Sequence, residues 1–86
     1  MYSRIDDQNY IFDGKTSLHD FCRIIREDKN IFDQYKGDAE TIAGFILEIS
    51  KSFPRKNSKI NFMKFIFTVE SIDKKRIKQI KLPILN

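Results

Sequence analysis

His19 and Cys22 are the one place in the chain where a nucleophile and a base could share a helical face, being three residues apart. Catalysis would also need an orienting acid and an oxyanion site, and no residue pattern marks either. Cys22 falls in an apolar stripe, where a free thiol behaves as a small hydrophobe, so the pair reads as a core cysteine beside a surface histidine. One His and one Cys would need carboxylates to complete a metal site. Asp6, Asp7 and Asp13 lack the alternation and terminal Glu of a calcium loop. Gly14, Gly37 and Gly44 are isolated from one another, which excludes a glycine-rich phosphate cradle. The expectation is a non-enzyme with no metal or cofactor and no small-molecule substrate.

Charge is the stronger signal. The net +4 conceals a division: residues 1–49 hold six Lys/Arg against ten Asp/Glu, whereas residues 50–86 hold ten against two. Separated charge creates a field that steers an oppositely charged partner. The acidic part contains Glu27, Asp28, Asp33, Asp38, Glu40 and Glu48, with Tyr35 among them as an aromatic of the kind enriched at interface centres. It suggests a protein-binding inhibitor of the immunity or antitoxin type, blocking a basic toxin or nuclease through Asp33, Tyr35, Asp38, Glu40 and Glu48. Electrostatic complementarity would supply on-rate and specificity. The basic part suggests the alternative, a small nucleic-acid-binding regulator. Arg55, Lys56, Lys59, Lys74, Lys75, Arg76 and Lys78 would follow a phosphate backbone, with Phe62, Phe65 and Phe67 interleaved as stacking platforms.

Those side chains must be positioned by one small domain, residues 1–86, since 10.2 kDa leaves no room for a second core. The lone Cys excludes an intrachain disulfide. The start of the chain turns acidic at Asp6-Asp7, unlike a signal peptide, and no apolar run approaches the ~20 residues that span a bilayer. A basic amphipathic segment at residues 72–82 lacks Trp and has few large apolar groups, which argues against a membrane anchor. These features predict a cytoplasmic protein with no membrane partner.

The elements read as follows. Tyr2–Ile5 and Asn9–Phe12 form a hairpin or a single strand with a frayed start, followed by a turn at Asp13-Gly14, where Gly tolerates the positive φ that such turns often require. Ser17 caps a helix to about Asp28, with Leu18, Phe21, Cys22 and Ile25 on one face. Asp38 caps a second helix carrying Ile42, Phe45, Ile46, Ile49 and Phe53, stopped by Pro54. Gly44 within it would permit close approach to the first helix. Residues 60–69 favour a strand by composition, with Met63, Phe65, Phe67 and Val69 on a shared face, although Phe62, Phe65, Ile66 and Val69 also fit helical spacing. Residues 73–82 fit either a basic helix or a turn followed by a strand. The fold class is α+β: an antiparallel sheet of about three strands with two helices on one face.

Residues 9–46 resemble the barstar-type ribonuclease inhibitors. The resemblance runs through Tyr10-Ile11-Phe12-Asp13-Gly14, the helix opening at Ser17-Leu18-His19-Asp20-Phe21, and Phe32-Asp33-Gln34-Tyr35-Lys36-Gly37-Asp38 before the second helix. It implies a small cytoplasmic inhibitor that plugs a basic nuclease active site with acidic residues of the second helix and preceding loop. Only Tyr35, Asp33, Asp38 and Glu40 carry over. The chain departs from the pattern in having no Trp, and in placing Thr41, Ala43 and Gly44 where acidic and Trp contacts belong.

Overall fold

The computed structural model describes residues 9–28 and 30–83 with side chains, and the backbone of residues 2–4. Five strands and two helices occur among them: β1 (Tyr2–Arg4), β2 (Asn9–Asp13), α1 (Leu18–Ile25), α2 (Ile42–Ser50), β3 (Lys59–Phe62), β4 (Phe65–Asp73) and β5 (Arg76–Pro83). The strands make one antiparallel sheet in the order β1-β2-β5-β4-β3. The architecture is α+β with both helices on one face, and the sheet is larger than the three strands expected.

Two hairpins account for the extra strands. The single strand read over residues 60–69 is β3 and β4, joined by the two-residue turn Met63-Lys64 between the paired Phe62 and Phe65. Met63 takes φ 55 in that turn and stands exposed, so it does not join Phe65, Phe67 and Val69, which are buried. A second two-residue turn, Lys74-Lys75, joins β4 to β5 between Asp73 and Arg76, with Lys74 at φ 56. Of the two readings of the tail, the turn and strand is the one realised. That strand is central, between β2 and β4, and Pro83 is accommodated at its last position, opposite Asn9. The N-terminal hairpin alternative also holds in part, since Tyr2–Arg4 pairs with Tyr10–Phe12; Ile5, Asp6 and Asp7 lie outside the described residues.

The helix-facing side of the sheet supplies Phe12, Phe62, Phe65, Phe67, Val69, Ile77, Ile80 and Leu82 to one core with Phe21, Cys22, Phe32, Ile42, Phe45 and Ile46. Aromatic pairs hold its centre: Phe12–Phe21 at 4.7 Å, Phe32–Phe45 at 4.5 Å and Phe45–Phe62 at 4.8 Å between centroids. Each such pair adds about 0.5–1.5 kcal/mol beyond area burial. Lys59, Thr68 and Lys81 form a cross-strand row on the other face.

Ser17 caps α1 as expected, its Oγ accepting from the Asp20 backbone N–H at 3.0 Å. The helix ends at Ile25, short of Asp28, because Arg26 turns left-handed (φ 62) and the Glu27 N–H donates to the Cys22 carbonyl. The cap of α2 is Thr41, not Asp38: its Oγ1 accepts from the Gly44 N–H at 3.1 Å. Tertiary bonds choose that start. Ser17 and Thr41 form an isolated antiparallel bridge, while Leu18 N–H donates to Glu40 O and Ile42 N–H to Thr16 O. The second helix ends at Ser50, with Lys51 left-handed, so Phe53 lies beyond it and is exposed.

Two glycines act differently from expectation. Gly14 does not have a positive φ. It is required by close approach: a Cβ there would overlap the Ile77 carbonyl oxygen and lie 3.1 Å from Ala43 Cβ. Gly44 faces its own cap and Ala39, not α1.

Candidate functional site

Two open clefts flank the Ser17–Thr41 bridge, Thr41 lining one and Ser17 the other. The first, of about 480 Å³, lies between the β2–α1 turn, the first turns of α2 and the start of β5. Its rim carries Lys15, Lys75, Arg76 and Lys78, against one carboxylate, Asp13. Asp13 Oδ1 accepts from the Lys15 backbone N–H at 2.9 Å. The floor is apolar, from Ala43, Gly44, Leu47 and Ile77. The start of α2 presents few free donors to this cleft. Ile42 N–H donates to Thr16 O, Ala43 N–H to Gly14 O and Gly44 N–H to Thr41 Oγ1.

The second cleft, of about 440 Å³, is lined by His19, Asn30, Phe32, Asp33, Lys36 and Glu40, among others. Of the acidic candidates, the structure therefore brings Asp33 and Glu40 together. Asp38 and Glu48 are both exposed, and Glu48 lies against Gly37, next to Asp38. Tyr35 is 47% exposed, yet its ring packs edge-on to Phe62 at 5.2 Å, which fixes its position. The acidic loop is tied to the β3–β4 end of the sheet by that contact and by the Lys64–Glu27 ion pair.

The basic candidates divide into two groups. Lys75, Arg76 and Lys78 rim the first cleft beside Lys74, which occupies the turn. Arg55 and Lys56 sit in the loop feeding the edge strand β3, and Lys59 begins that strand. Phe62, Phe65 and Phe67 are buried, so they offer no face on which a base could stack. Lys15 and Leu47 escaped the sequence reading, because the cleft gathers side chains from three segments far apart in the chain.

Cys22 is buried, and His19 is exposed on the same helix. Burial pushes the Cys22 thiol up to about 11, reinforced by the negative charges of Glu27, Asp28 and Asp33. At neutral pH it is a protonated, poor nucleophile. Among the described residues no group of three or more His, Cys, Asp and Glu could hold a metal ion.

The model of the CorC_HlyC transporter associated domain matches residues 3–86. The chain belongs to this family. It is 32% identical over 75 residues to the polyamine export protein of Escherichia coli K12, covering 87% of this chain but only 16% of that protein. Among solved structures, the transporter associated domain of a CBS domain protein from Porphyromonas gingivalis superposes with a TM-score of 0.85 at 32% identity, over 94% of this chain and 93% of that one. The fold alone is shared with a CorC_HlyC domain from Haemophilus ducreyi, with a TM-score of 0.75, 24% identity, and coverage of 98% and 96%.

Membership of a transporter associated family overturns the barstar resemblance and the immunity, antitoxin and inhibitor reading. The strand–helix–loop–helix order that carried the resemblance is present here, but it does not identify that family. The basic toxin or nuclease partner falls with it, as does the nucleic-acid alternative, whose aromatic platforms are core residues. The expectation of no membrane connection also gives way, because the family takes its description from transport proteins. No helix among the described residues is long and apolar enough to cross a membrane. The family's description is that of a transporter associated domain and not of an enzyme.

Proposed function

We propose that the chain acts as a non-catalytic module of a larger transport protein, on the cytoplasmic side of the membrane, modulating transport by docking against the rest of that protein. The observation that carries this reading is the match of nearly the whole chain to a segment making up 16% of a polyamine export protein. A segment that small acts through what surrounds it. Asp33, Tyr35, Asp38, Glu40 and Glu48 carry the contact in this reading, meeting a basic surface with Tyr35 as the preorganised anchor.

The test replaces the matching segment of the Escherichia coli polyamine export protein with this chain and measures polyamine efflux from cells. Efflux well above that of a segment-deleted protein is expected, and its loss on Asp33→Lys with Glu40→Lys. A chimera that inserts in the membrane normally yet exports no better than the deletion would refute the proposal.

A further inference from the structure

The cationic cleft is electrostatically incomplete. Lys15 comes from the β2–α1 turn, and Lys75, Arg76 and Lys78 come from the β4–β5 hairpin, yet all four rim one opening. None of them has a carboxylate partner: the ion pairs among the described residues, Arg23–Asp20 and Lys64–Glu27, involve other groups. Asp13 lines the same cleft and Asp73 lies opposite Arg76 across the hairpin, so the four cations outnumber the nearby carboxylates. Four cations converging from separate segments repel one another, and the repulsion is relieved when an anion occupies the space between them. The cleft volume of about 480 Å³ is that of a small-ligand site. Its floor, with Leu47 38% exposed beside Ala43 and Ile77, offers apolar area for a non-charged part of the same ligand.

We infer that this cleft binds a phosphate-bearing ligand, its phosphate held between Arg76 and the lysines and its apolar part laid against Leu47. Arg76 supplies the planar fork for two phosphate oxygens, while the lysines act as point charges. Because the first N–H groups of α2 are already bonded to Thr16, Gly14 and Thr41, side chains and not the helix terminus provide the attraction. Binding is therefore weakened strongly by salt. The phosphate has two sources, a free nucleotide or a lipid headgroup. The inference stands apart from the export chimera, since it concerns a ligand of the chain itself.

The experiment titrates the 86-residue chain with ATP, with pyrophosphate, and with vesicles of phosphatidylglycerol mixed equally with phosphatidylcholine, following backbone amide resonances. Perturbation at Gly14, Lys15, Gly44 and Ile77 is expected. Arg76→Gln with Lys78→Gln should weaken binding roughly tenfold or more, the size of one charge-assisted hydrogen bond. Lys64→Gln, in the β3–β4 turn at the far end of β4, should leave it unchanged. Retained resonance dispersion shows that each variant is folded, and Lys75→Gln provides a second variant should the double substitution unfold. Binding to free phosphates assigns a nucleotide-type ligand, whereas vesicle binding alone, abolished by the same variants, assigns a headgroup. Absence of binding in all three arms, or binding indifferent to Arg76 and Lys78, overturns the inference.

Discussion

Alanine at Gly14 and at Gly44 separates two reasons for a glycine in the same cleft wall. At Gly14 an added Cβ would lie inside the van der Waals surface of the Ile77 carbonyl oxygen, a backbone atom in the central strand that cannot rotate aside. The same residue holds two tertiary bonds, Gly14 N–H to Lys78 O at 2.8 Å and Ala43 N–H to Gly14 O at 3.0 Å. Displacing the turn sacrifices both, at about 0.5–1.5 kcal/mol each, and the overpacking costs about 1–3 kcal/mol more. Gly14→Ala should therefore destabilise by roughly 2–6 kcal/mol, lowering the melting temperature by roughly 8 °C or more in a domain of this size. At Gly44 the nearest atoms to a new Cβ are Thr41 Oγ1 at 3.2 Å and Ala39 Cβ at 3.5 Å, and neither is main chain. A small shift accommodates it, and alanine gains about 1 kcal/mol of helix propensity. Gly44→Ala should be neutral or stabilising by less than about 1 kcal/mol. Urea denaturation of both variants gives the comparison. A Gly14→Ala protein within about 0.5 kcal/mol of the parent, the scatter of ordinary surface changes, would refute the interlocking of turn, helix and central strand.

Thr41→Ala should cost about 1 kcal/mol through the lost cap, whereas Asp38→Ala should stay within about 0.5 kcal/mol; urea denaturation yielding the reverse order would return the cap to Asp38. The raised Cys22 thiol makes stability pH-dependent. The folded chain keeps its proton up to about 11, whereas the unfolded chain releases it near the ordinary 9.0. The contribution is therefore fully present below pH 9 and is lost as pH rises towards 11, by at most about 3 kcal/mol. Denaturation across that window should show a steeper loss for the parent than for Cys22→Ala, and equal slopes would reject a buried, protonated thiol.

Local signals made the first helix legible. Ser17 precedes Leu18, Phe21 and Cys22 at helical spacing, and the structure buries all three behind that cap. The hairpins were illegible because their turns are Met63-Lys64 and Lys74-Lys75, in which Met63 and Lys74 adopt the positive φ that Gly or Asn usually signals. With no turn residue to divide it, β3–β4 reads as one long apolar strand. The start of α2 was hidden for a different reason. Asp38 has the right chemistry for a cap, but the bridge from Ser17 to Thr41 and the bonds to Thr16 and Gly14 fix the helix three residues later. Tertiary partners decided between two acceptable caps.

The charge division read from the sequence has a structural counterpart, although the functions first attached to it do not survive. The acidic loop is held to the β3–β4 turn by Tyr35 on Phe62 and by Glu27 with Lys64. The cleft cations gather around the β4–β5 turn, at the other end of β4. That strand is nine residues long, so at the usual rise per residue the two turns stand roughly 26 Å apart. This exceeds the Debye length of about 8 Å at physiological salt, so the charges at the two turns do not screen each other, whereas Asp33 and Glu40 line the cleft on the far side of the Ser17–Thr41 bridge from the cations. Folding has thus kept apart what folding could have mixed, and each cluster presents its own sign to whatever approaches it. The basic partner and the phosphate draw on different residues, so the docking contact and the phosphate cleft are separate proposals with separate variants to test them.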